Sequence, residues 1–242
     1  MAAIDQQHGR GQAVEDYAKA IYSLQQRAAG DSVSTNALAE RCDVTAASAS
    51  AMMKKLAERG LVTHEPYHGV RLTTKGERLA LKVIRKHRLL ELFLVTSLDV
   101  PWDRVHREAD LLEHHLSDEL AALIAEKLDQ PTHDPHGDPI PTIDGTIDEG
   151  HTVALDSLEP GATGTFVRVS DSDPAMLRYL ADHEIMPGAR FEVLDRQPFG
   201  GPLSIRFANS IESLGGGLAG AMHVELQPPT DIDRHTVLTD EP

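Results

Sequence analysis

Cysteine is nearly absent, Cys42 being the only one in 242 residues. A lone thiol excludes an internal disulfide and every zinc motif built on paired cysteines, and it fits a reducing compartment. Long apolar runs are missing too. No stretch approaches the roughly 20 residues that span a bilayer, and the polar N-terminus has no signal-peptide core. The chain is therefore expected to be cytoplasmic, with no membrane partner. Positive charge is also short: 23 Lys and Arg against 38 Asp and Glu give a net charge of −15, which alone argues against nucleic acid. The deficit is uneven. Residues 1–96 hold 14 Lys and Arg against 10 Asp and Glu, a net of +4, whereas residues 97–242 hold 9 against 28, a net of −19. Phosphate attraction acts over a Debye length, about 8 Å in physiological salt, so a basic front on an acidic body can still face DNA. The length suits one large or two modest domains with real cores.

What is abundant is potential metal ligand, concentrated between Lys86 and Glu119. His87 and Glu91 are four residues apart and share a helix face; Asp110, Glu113 and His114 repeat the i, i+3, i+4 spacing further on. At about 100° per residue from His106, the residues Val105, Ala109, Leu112, Leu116, Leu120 and Leu123 fall on one stripe, the expected core face. His106, Asp110, Glu113 and His114 fall on a neighbouring arc, with no Lys or Arg on it, and His115 points away. Half-buried carboxylates are costly without a positive partner. An ordinary solvated face is the bland alternative; the histidine content and the second cluster favour a metal site.

In chain order, residues 1–11 lack periodicity and are expected to be disordered. A helix is predicted from Ala13 to about Arg27, with Glu15 and Asp16 in its first turn, where the helix dipole favours acids. Ser34 or Thr35 can cap a short helix, Cys42-Asp43-Val44 breaks it, and Thr45 caps a second helix that ends at Gly60. This is a helix-turn-helix pattern. Thr45, Ala46, Ala47, Ser48 and Ser50 are small enough to let backbone approach a major groove, with Lys54 and Lys55 following. Two strands, Leu61–His64 and Val70–Leu72, fit a wing around Tyr67. A generic three-helix core with a surface hairpin is the alternative, and local positive charge favours DNA. Thr74 to Glu77 reads as a capping box that opens a long helix to about Ser97. A third long helix is expected from Trp102 to Leu128. Residues 130–150 read as a linker with His133 and His136 solvated. From His151 short β runs at Thr152–Leu155, Gly164–Val169, Arg190–Leu194, Leu203–Phe207 and Met222–Leu226, plus one helix near Ala175–Asp182, indicate a small β-barrel.

This order of parts resembles the diphtheria toxin repressor family of metal-dependent regulators, above all its manganese-responsive branch. The most specific pieces are RKHRLLE at Arg85–Glu91, VHREADLLEHHLSDE at Val105–Glu119 and HGDPIP at His136–Pro141. The resemblance implies a mainly α chain with a small β domain. A winged helix-turn-helix would cover residues 1–74, a helical metal-binding and dimerisation domain 75–130, a linker 131–150, an SH3-like domain 151–227 and a tail 228–242. It further implies a homodimer that represses transcription when Mn(II) or Fe(II) is bound. Carried over residue by residue, the primary site falls on Asp16, Asp110, Glu113 and His114, and the ancillary site on His87, Glu91 and His106. Asp173 is the candidate for a carboxylate lent by the SH3-like domain. Iron-responsive members have Met and Cys where this chain has Asp16 and Asp110, and hard oxygen donors suit Mn(II). Two-domain manganese regulators carry a Glu one turn after the first Asp, where this chain has Lys19.

The leading expectation is a Mn(II)-activated repressor of metal-uptake genes that binds operator DNA and takes no organic substrate. An Fe(II)-activated repressor is the nearest alternative. A metal-dependent hydrolase would also need imidazoles and carboxylates, but no HExxH-like arrangement is present. A winged-helix sensor of an organic ligand leaves the Asp110–His114 cluster unexplained. The carboxylates of an empty site are expected to repel one another and hold the first helix away or leave it mobile.

Overall fold

The computed structural model describes residues 2–27, 32–65, 69–208 and 210–227. They divide into two compact units, one running to Asp134 with Pro139–Asp148, the other formed by Pro135–Asp138 and the chain from Glu149 on. In the first unit, α1 (Ala2–Arg27) begins well before the expected Ala13, so Glu15 and Asp16 lie mid-helix and the dipole cannot account for them. Two helices follow, α2 (Thr35–Arg41) capped by Ser34 and α3 (Ala46–Glu58) capped by Thr45, each hydroxyl accepting a backbone N–H of the first turn at 3.2 Å. Asp43 between them adopts positive φ, 50°, which makes the turn tight. Strands β1 (Val62–Glu65) and β2 (Gly69–Leu72) pair antiparallel as the wing, and Val33 bridges to Val70.

Helix α1 is shared between two cores. Val14, Tyr17 and Ile21 pack with Leu38, Met53 and Leu56 of the helix-turn-helix. Its Ala18 and Tyr22 pack with Ala80, Leu81 and Ile84 of α4 (Thr74–Leu98). The cap of α4 is Thr73, one residue before the expected box: its hydroxyl accepts the Gly76 N–H at 3.1 Å and donates to the Gly60 carbonyl at 2.8 Å.

The third long helix is broken. Helix α5 (Trp102–Leu112) stops, residues 113–116 turn, and α6 (Asp118–Lys127) restarts under a Ser117 cap that accepts the Leu120 N–H at 3.1 Å. The cap resets the helical phase, so the expected stripe survives only in part. Val105, Ala109 and Leu116 are buried, whereas Leu112, Leu120 and Leu123 are 44%, 48% and 55% exposed. In α6 the buried residues are Ala121, Ile124 and Ala125 instead. Lys86 of α4 fastens the restart, donating to the Leu116 carbonyl at 2.6 Å and pairing with Asp118 at 2.9 Å.

Residues 131–148 are no loose linker. Arg85 donates to the Pro141 carbonyl at 2.7 Å and Arg88 to that of Pro139, and Ile140 is buried beside Leu89 and Leu90. His133 is exposed as expected, but His136 is fully buried.

In the second unit, β3 (Val153–Ala154), β4 (Thr163–Val169), β5 (Arg190–Arg196), β6 (Leu203–Phe207), β7 (Ile211–Leu214) and β8 (Met222–Leu226) form one antiparallel sheet in the order β3-β8-β4-β5-β6-β7. Alternation buries Phe166, Phe191, Val193, Leu203 and Ile205 with Leu177 and Leu180 of α7 (Pro174–Asp182). Strand β7 and the short helix α8 (Gly216–Ala221) carry no clear alternation, and the sequence reading missed both.

Gly76 is where α4 meets the wing: a Cβ there would lie 2.0 Å from the Leu61 carbonyl oxygen, a rigid backbone atom. Gly76→Ala is expected to destabilise the first unit by about 1–3 kcal/mol, as overpacking does. Urea unfolding of wild type and variant checks it; equal midpoints would refute the close approach.

Candidate metal centre and nucleic-acid face

Gln12, Glu15, Asp16 and Lys19 follow the spacing i, i+3, i+4, i+7 and so form one stripe on α1. That stripe meets the turn after α5. His114 is held at both nitrogens, Nδ1 lying 2.7 Å from Glu15 Oε2 and Nε2 2.8 Å from Asp16 Oδ1. Its Nε2 is also 3.5 Å from Glu113 Oε1, and Gln12 meets the exposed His115 at 3.0 Å. Lys19 donates to Asp110 Oδ1 at 3.0 Å and to Glu113 Oε2 at 2.9 Å. The break after Leu112 matters here. Glu113 and His114 sit on a turn rather than a helix, which frees them to face α1 while Ser117 redirects the chain.

A second cluster adjoins the first. His87 Nε2 is 3.0 Å from both Glu91 Oε1 and His106 Nδ1, and His106 Nδ1 is 3.2 Å from the same Glu91 oxygen. Asp110 lies between the clusters, with Oδ2 3.3 Å from His106 Nε2 and Oδ1 3.3 Å from His87 Nδ1. His87 Nδ1 in turn contacts Glu113 Oε2 at 2.5 Å. Asp16, Glu113 and His114 thus offer one set of ligand atoms within 4.8 Å of one another, and His87, Asp110 and Glu113 offer another. All donors are oxygen or imidazole nitrogen, Glu113 is buried as is the adjoining Glu91, and no thiol takes part. This chemistry fits a divalent cation of hard to borderline character.

The positive charge missing from the sequence arc comes from elsewhere. Burial alone would lower the pKa of Lys19, but Glu113 and Asp110 outweigh it and raise the value above the usual lysine range. Burial would raise Asp110, and Lys19, His87 and His106 override it and hold the carboxyl low. His87 is depressed by burial and by the Lys19 charge, but Glu91 and Glu113 outweigh both, so its net shift is upward. His114 is pushed up to about 10, first by its hydrogen bond to Asp16 and then by that to Glu15. Lys19 and His114 thus offset the charge of the carboxylates where α1 packs against the ligand turn.

Of the sequence candidates, Asp16, Glu113 and His114 come together, as do His87, Glu91 and His106, with Asp110 joined to both. Asp173 caps α7, its Oδ1 accepting the Ala175 N–H at 2.8 Å. Sequence reasoning missed Glu15 and took Lys19 only as a departure from pattern, although the polar stripe on the first helix was readable. Thr45, the cap of α3, and Ala46, Ser48, Ser50 and Lys54 of the helix are exposed, and Lys55 is half-buried. The hydroxyls of Thr45 and Ser48 are 2.9 Å apart. Tyr67 lies outside the described residues.

Comparison with known proteins joins these observations. Residues 11–70 match the iron dependent repressor N-terminal DNA binding domain, 73–142 the iron dependent repressor metal binding and dimerisation domain, and 153–226 the FeoA domain. The iron-dependent repressor IdeR of Mycobacterium bovis is 30% identical over 223 residues, covering 87% of this chain and 96% of that protein. A solved manganese-dependent transcriptional repressor in complex with manganese is 44% identical with a TM-score of 0.81, covering 88% of this chain and all of that one. The manganese regulator SloR is 31% identical with a TM-score of 0.73, covering 88% of this chain and 98% of the other. A DNA-binding helix-turn-helix, a dimerisation domain with clustered ligands and an SH3-like sheet in one chain, with relatives matched over nearly their whole length, make this protein a member of the diphtheria toxin repressor family of metal-dependent transcriptional repressors, which are regulators and not enzymes.

Proposed function

We propose that this repressor is activated by Mn(II), binds operator DNA as a dimer and shuts off metal-uptake genes when manganese is sufficient. The observation that carries the reading is the Asp110 carboxylate, lying 3.3 Å from imidazole nitrogens of both His87 and His106. An oxygen at this central position, with Asp16 opposite, favours a hard ion that cannot prevail by raw affinity over softer competitors. The similarity to solved manganese-dependent transcriptional repressors supports the same reading. An iron-activated repressor is the second reading, favoured by the names of the mycobacterial relatives.

Asp16, Glu113 and His114 would hold the ion of the first site, and His87, Glu91 and His106 that of the second, with Asp110 between them. When bound, the ion supplies positive charge and coordination bonds that tie α1 to the turn after α5. Helix α1 shares a core with α3, so fixing α1 fixes the face of Thr45, Ala46, Ser48, Ser50 and Lys54 offered to DNA. The small residues admit close approach of the backbone, and Lys54 and Lys55 serve phosphates. The exposed leucines 112, 120 and 123 give the helical domain an apolar face suited to the second subunit.

Two outcomes test this. Asp110→Cys is expected to move the metal ranking toward Fe(II), Co(II) or Zn(II), because thiolate prefers softer ions. Fluorescence anisotropy on operator DNA across a metal series reads it, and an unchanged ranking would remove Asp110 from selectivity. The second concerns protons. His114, with its pKa pushed up to about 10, is an imidazolium at neutral pH, and a metal-bound imidazole must be neutral. Mn(II) affinity should therefore rise by about tenfold per pH unit from neutral toward 10, with about one proton released per ion at this residue. The ion pairs stabilise the metal-free fold fully below the unfolded value of 6.5, and that contribution is lost as pH rises through about 10. Chelator competition across this window checks the slope, and a flat profile would contradict it.

A further inference from the structure

Glu113 belongs to two sets of ligand atoms, one with Asp16 and His114 and the other with His87 and Asp110. The sets differ in what they surround. In the first, the side chains contact one another directly, His114 lying between Asp16 and Glu113. In the second, the ammonium of Lys19 already sits among the three ligands. It donates to Asp110 Oδ1 at 3.0 Å and to Glu113 Oε2 at 2.9 Å, and its nitrogen lies 3.0 Å from His87 Nδ1. A dication gripped by the same atoms would sit about 2.0–2.6 Å from its oxygen ligands, inside the volume the ammonium fills. Like charges at that separation repel strongly where water is scarce.

Lys19 cannot easily leave. Its helix is packed on one side through Tyr17 and Ile21 and on another through Ala18 and Tyr22, so the backbone under it is fixed. The Glu113 side chain is 1% exposed, and withdrawal of the ammonium would strip a buried carboxylate of a permanently charged partner 2.9 Å away.

We propose that Lys19 is a built-in cation that closes the His87–Asp110–Glu113 set to metal. It thereby fixes how many ions the centre accepts, while in the Asp16–Glu113–His114 set the ammonium meets Glu113 alone, at Oε1 3.2 Å, and leaves Asp16 and His114 for an ion. Lys19 acts as a specificity-determining residue: it occupies a metal position with a charge that cannot be chelated away. The inference rests on reading the centre as a metal site, whichever divalent ion is the physiological one.

The full-length protein is dialysed to equilibrium against Mn(II), and bound metal per protomer is measured together with the Mn(II) EPR spectrum. Wild type is compared with Lys19→Arg, Lys19→Met and Lys19→Glu. Arginine keeps the charge and should keep the wild-type ion count. Methionine, close in size and neutral, and glutamate, an added ligand, should each gain one Mn(II) per protomer, with glutamate binding it more tightly. Because Glu113 would serve the added ion as well as that of the Asp16–Glu113–His114 set, exchange coupling in the EPR signal should increase with the gain and stay at its wild-type level in Lys19→Arg. The methionine and arginine pair decides the matter if the glutamate variant fails to fold. An unchanged count in methionine and glutamate, or an equal gain in arginine, overturns the role of Lys19 alone. A wild-type protein that binds no Mn(II) overturns the metal reading and this inference with it.

Discussion

Glu113 has almost no contact with solvent, and a carboxylate taken out of water must find positive charge within a few ångströms or lose its ionisation. Much of the first unit can be read as an answer to that demand. His87 comes from α4 and Lys19 from α1, while the turn between α5 and α6 delivers Glu113 itself. The three elements are drawn to one point by a single buried charge. Each of these groups is also a metal ligand type or the neighbour of one. A bound ion would therefore act on the same electrostatics that draw these elements together.

The consequence for regulation lies in α1. One face of this helix completes the core of the DNA-binding module and another packs on α4, while its polar stripe of Gln12, Glu15, Asp16 and Lys19 engages the ligand turn. Helix α4 also reaches the wing at Gly76 and the turn at His87, but the helix-turn-helix core is completed by α1. A change of charge at the turn is therefore felt first by α1, and through Tyr17 and Ile21 by Leu38, Met53 and Leu56 under the recognition helix. Two such helices in a dimer must match half-sites about one helical turn apart, or a multiple of it, so small reorientations of α1 have large effects on binding.

Much of this was legible in the sequence because it rests on local chemistry. Ser34, Thr45 and the Thr-rich entry to α4 announce helix starts, and spacing placed His87 and Glu91 on one face. Where the reading failed, a local signal had been outvoted by a longer pattern. Ser117-Asp118-Glu119 is a helix start in its own right, yet the leucine periodicity running through it suggested one helix to Leu128. The break it causes is what lets Glu113 and His114 leave the helical arc. Lys19 escaped because its partners are some ninety residues away, and no period in the chain encodes such a contact. His136 was given to solvent on composition, whereas the Arg85 and Arg88 bonds that order the neighbouring prolines are tertiary.

The central claim is that metal and DNA are coupled through Asp16, the ligand that α1 contributes. Coupling between two binding events is reciprocal, so DNA must tighten Mn(II) binding by the same factor by which Mn(II) tightens DNA binding. The most direct measurement titrates Mn(II) into wild type and Asp16→Ala, each with and without an operator fragment selected by the wild-type protein. Equal reciprocal factors are expected in wild type and a factor near one in Asp16→Ala, with the dimer intact. The same enhancement in both proteins would contradict it.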